Sequence, residues 1–420
     1  MKIDSLTKKF KSGEFTVAET PDSSDNNYKI STGSLKFDSL TDGGLGCGIH
    51  RFTGSFEGGK TSAALEVANN FLDHFGEKGK VLFLKAEMRL SFDIQQRGRR
   101  PFVIMRPDHE ADALQEWSHK NILVFTQNIY PDIANFVYAV IQNLEPDEKI
   151  CIILDSVDWL KMPTDLANFL ENKSNQVANV PKYTKEFLRH FSPMISDGGH
   201  MFIPISQVST NLQLNKYEGH EQKKSVTSGG NALLHAADWI FQFKPKTSGQ
   251  LILEGEGQVD LEKNKVLGNN ARLMVVKSPN ETTGYSIEYP IKKGRGVWRE
   301  REVLDTLVSV GAIEKAGSWF KSNDKIIDTI KTKFDKDIPP SIQGKAKLTD
   351  FFEANPDITE FYYNQILKAI QNQKVSKDTI MEEISDEEKD DIRGMAKEAL
   401  KPLEGATVSR KKAPKSPKND

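Results

Sequence analysis

The chain has 420 residues, 37% of them hydrophobic and 28% charged, a balance that suits a soluble globular protein with one large α/β domain and smaller flanking parts. Lys+Arg number 57 against 59 Asp+Glu, a net charge of −2, so any nucleic-acid site must be a local patch. The only cysteines, Cys47 and Cys151, exclude a disulfide framework and a cysteine metal site, and they suit a reducing compartment.

Residues 1–35 are polar and predict a short helix and loop that cannot build a core alone. From about 45 to 300, short apolar runs alternate with helical stretches. The runs are IHRFT (49–53), VLFLK (81–85), ILVFT (122–126), ICIILD (150–155), HMFIPIS (200–206), WIFQF (239–243) and RLMVVK (272–277). Runs apolar at nearly every position predict strands buried on both faces, hence a mostly parallel sheet covered by helices. Ala64, Val67, Ala68 and Phe71 share one helical stripe. Together these predict a doubly wound α/β fold. A smaller unit is expected over 301–380, and an acidic then basic tail over 381–420 is expected to be disordered. The longest apolar runs span about six residues, against roughly 18 for a membrane helix. The N-terminus has no apolar signal core, so a cytoplasmic protein with no membrane partner is expected.

The segment GSFEGGKT fits the phosphate-loop pattern at Gly54, Gly59, Lys60 and Thr61. It follows an expected strand and opens an amphipathic helix, which is the setting such a loop needs. Backbone N–H groups of Gly54, Ser55, Phe56, Glu57, Gly58, Gly59 and Ser62, with the helix N-terminus, would hold the phosphates of ATP. Lys60 would reach the β and γ phosphates, and Thr61 would ligate Mg²⁺.

Asp155 closes the run CIILD; at a strand end it holds Mg²⁺ through water or caps the next helix. Glu87 closes VLFLKAE, where a carboxylate orients or deprotonates an attacking water. Gln207 ends FIPISQ, where an amide beside the nucleotide senses the γ phosphate and passes its presence to the following loop. That loop, about 208–227, carries Lys216, Tyr217, Lys223 and Lys224: either a solvated surface loop or lysines for DNA phosphates and a tyrosine for a base.

In this order the motifs resemble the RecA family of recombinases, UvsX-like phage members included, over about residues 36–370. GGLGCGIHRFTGSFEGGKTSAAL resembles the lead-in and phosphate loop, FLKAE the strand ending in the catalytic glutamate, IILDSVDWL the Mg²⁺-binding strand, and FIPISQV the sensor strand. IEKAGSWF (313–320) and GKAKLTDFFEANP (344–356) resemble the start of the C-terminal domain. The resemblance implies a RecA-like core over 36–300, a polymerisation segment over 1–35 and a small C-terminal α/β domain over 301–380. It implies that SGGNAL, with Gly229, Gly230 and Asn231, follows the second DNA loop, and that a first loop near 162–183 offers Lys173. It further implies that Lys277 of VVK reaches the neighbouring protomer's ATP. The departures are Pro279, in place of a second lysine, and Leu234 and His235 after GGNAL.

The implied activity is that of a DNA-dependent ATPase using Mg²⁺. It would form filaments on single-stranded DNA and exchange strands with a homologous duplex in recombination and repair, with mediator and single-strand-binding proteins as further partners. The setting would be a bacterial cell or a phage-infected host. The alternatives are a hexameric replicative helicase on the same core and a mediator that binds ATP without exchanging strands.

Overall fold

The computed structural model describes residues 26–87, 99–163, 179–210, 225–227, 230–254 and 264–372. In chain order the elements are α1 (Leu35–Leu40), β1 (Gly48–Gly54), α2 (Lys60–Phe75), β2 (Gly79–Lys85), β3 (Phe102–Ile104), α3 (Glu110–Glu116), β4 (Ile122–Thr126), α4 (Tyr130–Gln142) and β5 (Lys149–Asp155). Then follow α5 (Asn179–Asp197), β6 (Met201–Thr210), β7 (Ser225–Thr227), α6 (Gly230–Ala236), β8 (Trp239–Phe243), β9 (Leu251–Leu253), β10 (Val266–Lys277), β11 (Ser286–Lys292) and β12 (Gly296–Val297). The last part holds α7 (Arg299–Ser309), β13 (Ile313–Ala316), β14 (Trp319–Ser322), α8 (Asp324–Phe334), β15 (Ser341–Gln343), α9 (Lys345–Ala354) and α10 (Pro356–Gln371).

The main sheet runs β12-β11-β10-β8-β1-β6-β5-β2-β4-β3. From β8 to β3 every pairing is parallel, as the doubly apolar runs predict. All seven expected runs are strands. RLMVVK differs from the rest: it is the end of β10, antiparallel to both β8 and β11. A short turn returns β10 to β11, and only an antiparallel pair can be joined so. The unforeseen β3 extends the sheet beside β4.

Helix α2 covers one face of this sheet. Ala64, Val67, Ala68 and Phe71 are fully buried there, and burial of Val67 and Phe71 contributes roughly 1.5–3 kcal/mol each. A second apolar layer on the other face takes Leu188, Phe191 and Ile195 from α5. Arg99 and Arg100, two of the arginines at 97–100, are drawn onto α2: Arg99 meets Glu66 and Asp73, and Arg100 donates to Asp73 and to the Asn69 and His119 carbonyls. They pin the strand connection and are spent on it.

Residues 299–371 build a three-stranded antiparallel sheet, β13-β14-β15, packed with α7, α8, α9 and α10. Its core includes Val303, Leu304, Phe320, Ile330, Phe352 and Ile358. Leu35, from the start of α1, is buried in that same core. The join is polar as well. Glu302, fully buried on α7, accepts from the Ser34 hydroxyl at 2.6 Å and from the backbone N–H groups of Leu35 and Lys36 at 3.0 Å. These donors are orphans of the α1 N-terminus, so Glu302 caps a helix 267 residues away in sequence. Burial pushes its carboxyl up to about 7 against the pull of the Ser34 and Lys36 hydrogen bonds. No helix among the described residues is long and apolar enough to cross a membrane.

Candidate nucleotide site

The phosphate loop leaves the C-terminal edge of the parallel strands, between β1 and α2. Two glycines explain its path. Gly54 has φ +145°, and a Cβ there would lie 2.1 Å from the Phe243 carbonyl oxygen. Gly59 takes φ +95° to start α2. With the backbone so bent, Lys60 is drawn under the loop, where its ammonium donates to the carbonyls of Gly54 at 3.0 Å and Ser55 at 2.7 Å. Burial pushes the Lys60 ammonium down, while the charges of Asp155, Asp158 and Glu87 oppose that shift.

The neighbouring hydroxyl of Thr61 donates to Asp155 Oδ2 at 2.7 Å. The residue expected to ligate Mg²⁺ through its hydroxyl and the one expected to hold it by a carboxylate therefore touch. Burial pushes the Asp155 carboxyl up; the Thr61 hydrogen bond and Lys60 oppose, and the nearby charges of Glu87 and Asp158 add to the rise. Ser156, next in the chain, has a buried hydroxyl with no hydrogen-bond partner among the described residues. A lysine, a hydroxyl, a raised carboxylate and an unsatisfied hydroxyl at one helix N-terminus fit a Mg²⁺-polyphosphate.

Glu87 lies just past β2. Its backbone N–H donates to the Asp155 carbonyl at 3.2 Å, so the two strand ends bearing carboxylates are side by side. Gln207 is in register with Gly54 across the β1–β6 pair, and its N–H donates to Asp158 Oδ2 at 2.7 Å. Lys60, Thr61, Asp155, Glu87 and Gln207 thus share one edge of the sheet.

A cavity of about 630 Å³ opens beside this edge. On one side it is lined by Glu57, Gly58, Gly59, Lys60, Thr61 and Ser62. On the other stand Lys246, from the segment between β8 and β9, with Asn269 of β10, Lys292 of β11 and Lys293 just after it. Those four were not anticipated; the lysine-rich, glycine-rich run IKKGRG (291–296) is the signal that points to Lys292 and Lys293, and no comparable run marks Lys246 or Asn269. Lys292 also pairs with Glu353 of α9 at 2.5 Å, and the Trp298 indole N–H donates to the same Glu353 oxygen at 2.7 Å. Phe56, inside the loop, is 72% exposed and does not line the cavity.

Lys277 lies at the other end of the strands. Leu273 is opposite Phe243, which pairs with Gly54, whereas Lys277 is opposite Ile240, which pairs with Arg51. Four residues of strand put it roughly 13 Å from the loop end. Its ammonium donates to the carbonyls of Leu234 and His235 at 3.1 Å and Ala237 at 2.5 Å, capping α6.

Lys173, Lys216, Tyr217, Lys223, Lys224 and Gly229 lie outside the described residues. Gly230 and Asn231 open α6. The expected second loop narrows at its ends, because Val208–Thr210 pairs antiparallel with Ser225–Thr227. The expected first loop narrows too: residues 179–183 already belong to α5, whose proline at 181 sits in the first turn, where a missing N–H costs nothing.

No protein-family model matches the chain. Among curated proteins it is similar to Protein RecA of Rhodopseudomonas palustris, 26% identical over 363 residues, which covers 85% of this chain and 87% of the relative. Protein RecA of Nitrobacter winogradskyi is 25% identical over 363 residues, covering 85% and 84%. Protein RecA of Wigglesworthia glossinidia brevipalpis is 25% identical over 372 residues, covering 85% and 92%. A likeness of this length to RecA proteins runs alongside a phosphate loop with Asp155, Glu87 and Gln207 at neighbouring strands of one mostly parallel sheet, the arrangement that the resemblance to the RecA family implies.

Proposed function

We propose that the protein is an ATP-dependent DNA recombinase, which assembles on single-stranded DNA and exchanges strands with a homologous duplex. The carrying observation is the contact between Thr61 and Asp155 at the mouth of a lysine-lined cavity. ATP supplies the phosphoanhydride bond, with Mg²⁺ to neutralise its charge. Lys60, the loop N–H groups of residues 54–62, Thr61 and Asp155 hold them. Glu87 positions and deprotonates the attacking water, which its place beside the Asp155 carbonyl supports. Gln207 reads the γ phosphate at the base of the second DNA loop.

Lys277 serves a neighbouring protomer. Its position at the far end of β10 supports this, since it cannot reach the loop of its own chain. Residues 1–35 would carry assembly and 36–300 the ATPase core, with a C-terminal domain over 301–380 and a tail over 381–420. Lys173, Lys216, Tyr217, Lys223, Lys224, Gly229, Gly230 and Asn231 are the DNA contacts of this reading. Pro279, Leu234 and His235 support a phage-like branch working in the cytoplasm.

The test is strand exchange with electron microscopy of the products. Joint molecules and helical filaments that need ATP are expected. Closed hexamers that unwind duplexes without joint molecules would replace this reading with a helicase, and filaments without exchange would replace it with a mediator.

A further inference from the structure

Beneath the nucleotide edge lies a charged pair that the reading above leaves without a role. Arg51, on β1, is 1% exposed. Its Nε–H donates to the buried Ser206 hydroxyl on β6 at 3.0 Å. Burial pushes the guanidinium down to about 10, and Asp158 supplies the negative charge that opposes this. A buried arginine is costly unless a carboxylate faces it.

Asp158 has a second task. The ladder between β5 and β6 ends at Leu154–Pro204, because the chain after Asp155 leaves the sheet for a short turn, Val157–Trp159. Strand β6 continues past β5, and the Gln207 N–H finds its acceptor in the Asp158 carboxylate at 2.7 Å. Asp158 therefore stands in for the missing strand. It ties the turn that follows Asp155 to β6 at Gln207, with the buried Arg51 bonded to Ser206 one residue earlier on that strand.

The geometry assigns Asp158 as a positioning residue that couples the two sides of the nucleotide edge, so that a change at Gln207 moves the turn after Asp155, and the reverse. The inference rests on the proposed DNA-dependent ATPase activity for its kinetic readout. Asp158 is not among the groups that hold the phosphates in that reading, although its charge acts on Lys60 and Asp155, so its loss should lower DNA-stimulated turnover much more than nucleotide binding.

The experiment compares full-length wild type, Asp158→Ala and Asp158→Asn. Three quantities are read: ATP affinity by fluorescent-nucleotide titration, ATPase with and without single-stranded DNA, and amide exchange at Gln207. For D158A we expect ATP affinity within twofold of wild type and faster exchange at Gln207. A lost charge-assisted hydrogen bond should lower DNA-stimulated turnover by roughly tenfold or more. D158N, which keeps an acceptor for the Gln207 N–H but leaves Arg51 without a facing carboxylate, should recover part of the stimulation. If D158A does not fold, Asp158→Ser, too short to reach Gln207 yet still polar, takes its place. Wild-type stimulation in D158A overturns the inference, and so does a fall in ATP affinity as large as the fall in turnover. If wild type itself shows no stimulation by DNA, the proposed function fails instead, and the Gln207 exchange rate alone decides whether Asp158 holds that strand.

Discussion

Lys292, in the wall of the nucleotide cavity, is paired with Glu353 of helix α9 at 2.5 Å. The C-terminal unit thereby places a carboxylate behind a cation that faces the phosphate loop. A carboxylate there opposes an anionic ligand. Glu353→Gln is expected to tighten nucleotide binding about two- to fivefold, the scale of a partly exposed ion pair, and Lys292→Ala to weaken it. Titration with a fluorescent nucleotide checks both, and unchanged affinity in both variants would show that Lys292 faces away from the ligand.

Lys60→Ala should abolish turnover, with a fall of at least about 10²-fold, because it removes the ammonium held at the Gly54 and Ser55 carbonyls to meet charge developing on the phosphates. The fold should survive, since the hydrogen bonds lost are those to the Gly54 and Ser55 carbonyls at the end of β1 and no member of the apolar core goes with them. Steady-state ATPase and circular dichroism read the two effects separately; intact ATPase would remove Lys60 from the site.

Lys277→Ala should act only in the assembled protein. At low protein concentration its nucleotide affinity should match wild type. As concentration rises, wild-type specific activity should climb while the variant's stays flat. The variant also loses the cap on α6, a cost of about 0.3–1 kcal/mol. A parallel climb in both proteins would show that Lys277 serves helix α6 alone.

Glu302 gives a pH dependence. Its folded carboxyl titrates near 7 against an ordinary 4.5, so the folded protein holds this proton more tightly than the unfolded chain. The resulting stabilisation is complete below about 4.5 and is lost as pH rises through about 7, a swing on the order of 3 kcal/mol. Glu302→Gln should flatten that slope in chemical denaturation between pH 5 and 8. An equal slope in both proteins would assign the dependence to other groups.

Much of the grouping at this candidate edge was legible in the sequence because each part is local. Gly54, Gly59, Lys60 and Thr61 sit in one run, and Asp155 and Glu87 each end a strand whose apolar residues announce it. The strand order that brings these ends together is not local, and nothing in the apolar pattern of RLMVVK marks β10 as antiparallel. The cavity's far wall was hidden for the same reason: Lys246, Asn269 and Lys292 come from three separate stretches, and only the antiparallel extension gathers them. Asp158 lies three residues past Asp155, yet its partners Arg51 and Gln207 belong to other strands. No spacing along the chain reveals a carboxylate that stands in for a strand.

The join between Glu302 and α1 has a consequence for synthesis. The donors at Ser34, Leu35 and Lys36 leave the ribosome long before their acceptor, which lies 267 residues downstream of Leu35. At about 5–20 residues per second, roughly 15 to 50 s pass before Glu302 is made. The first turn of α1 therefore stays without its cap until α7 has been made, and the contact closes only after most of the chain between them has left the ribosome.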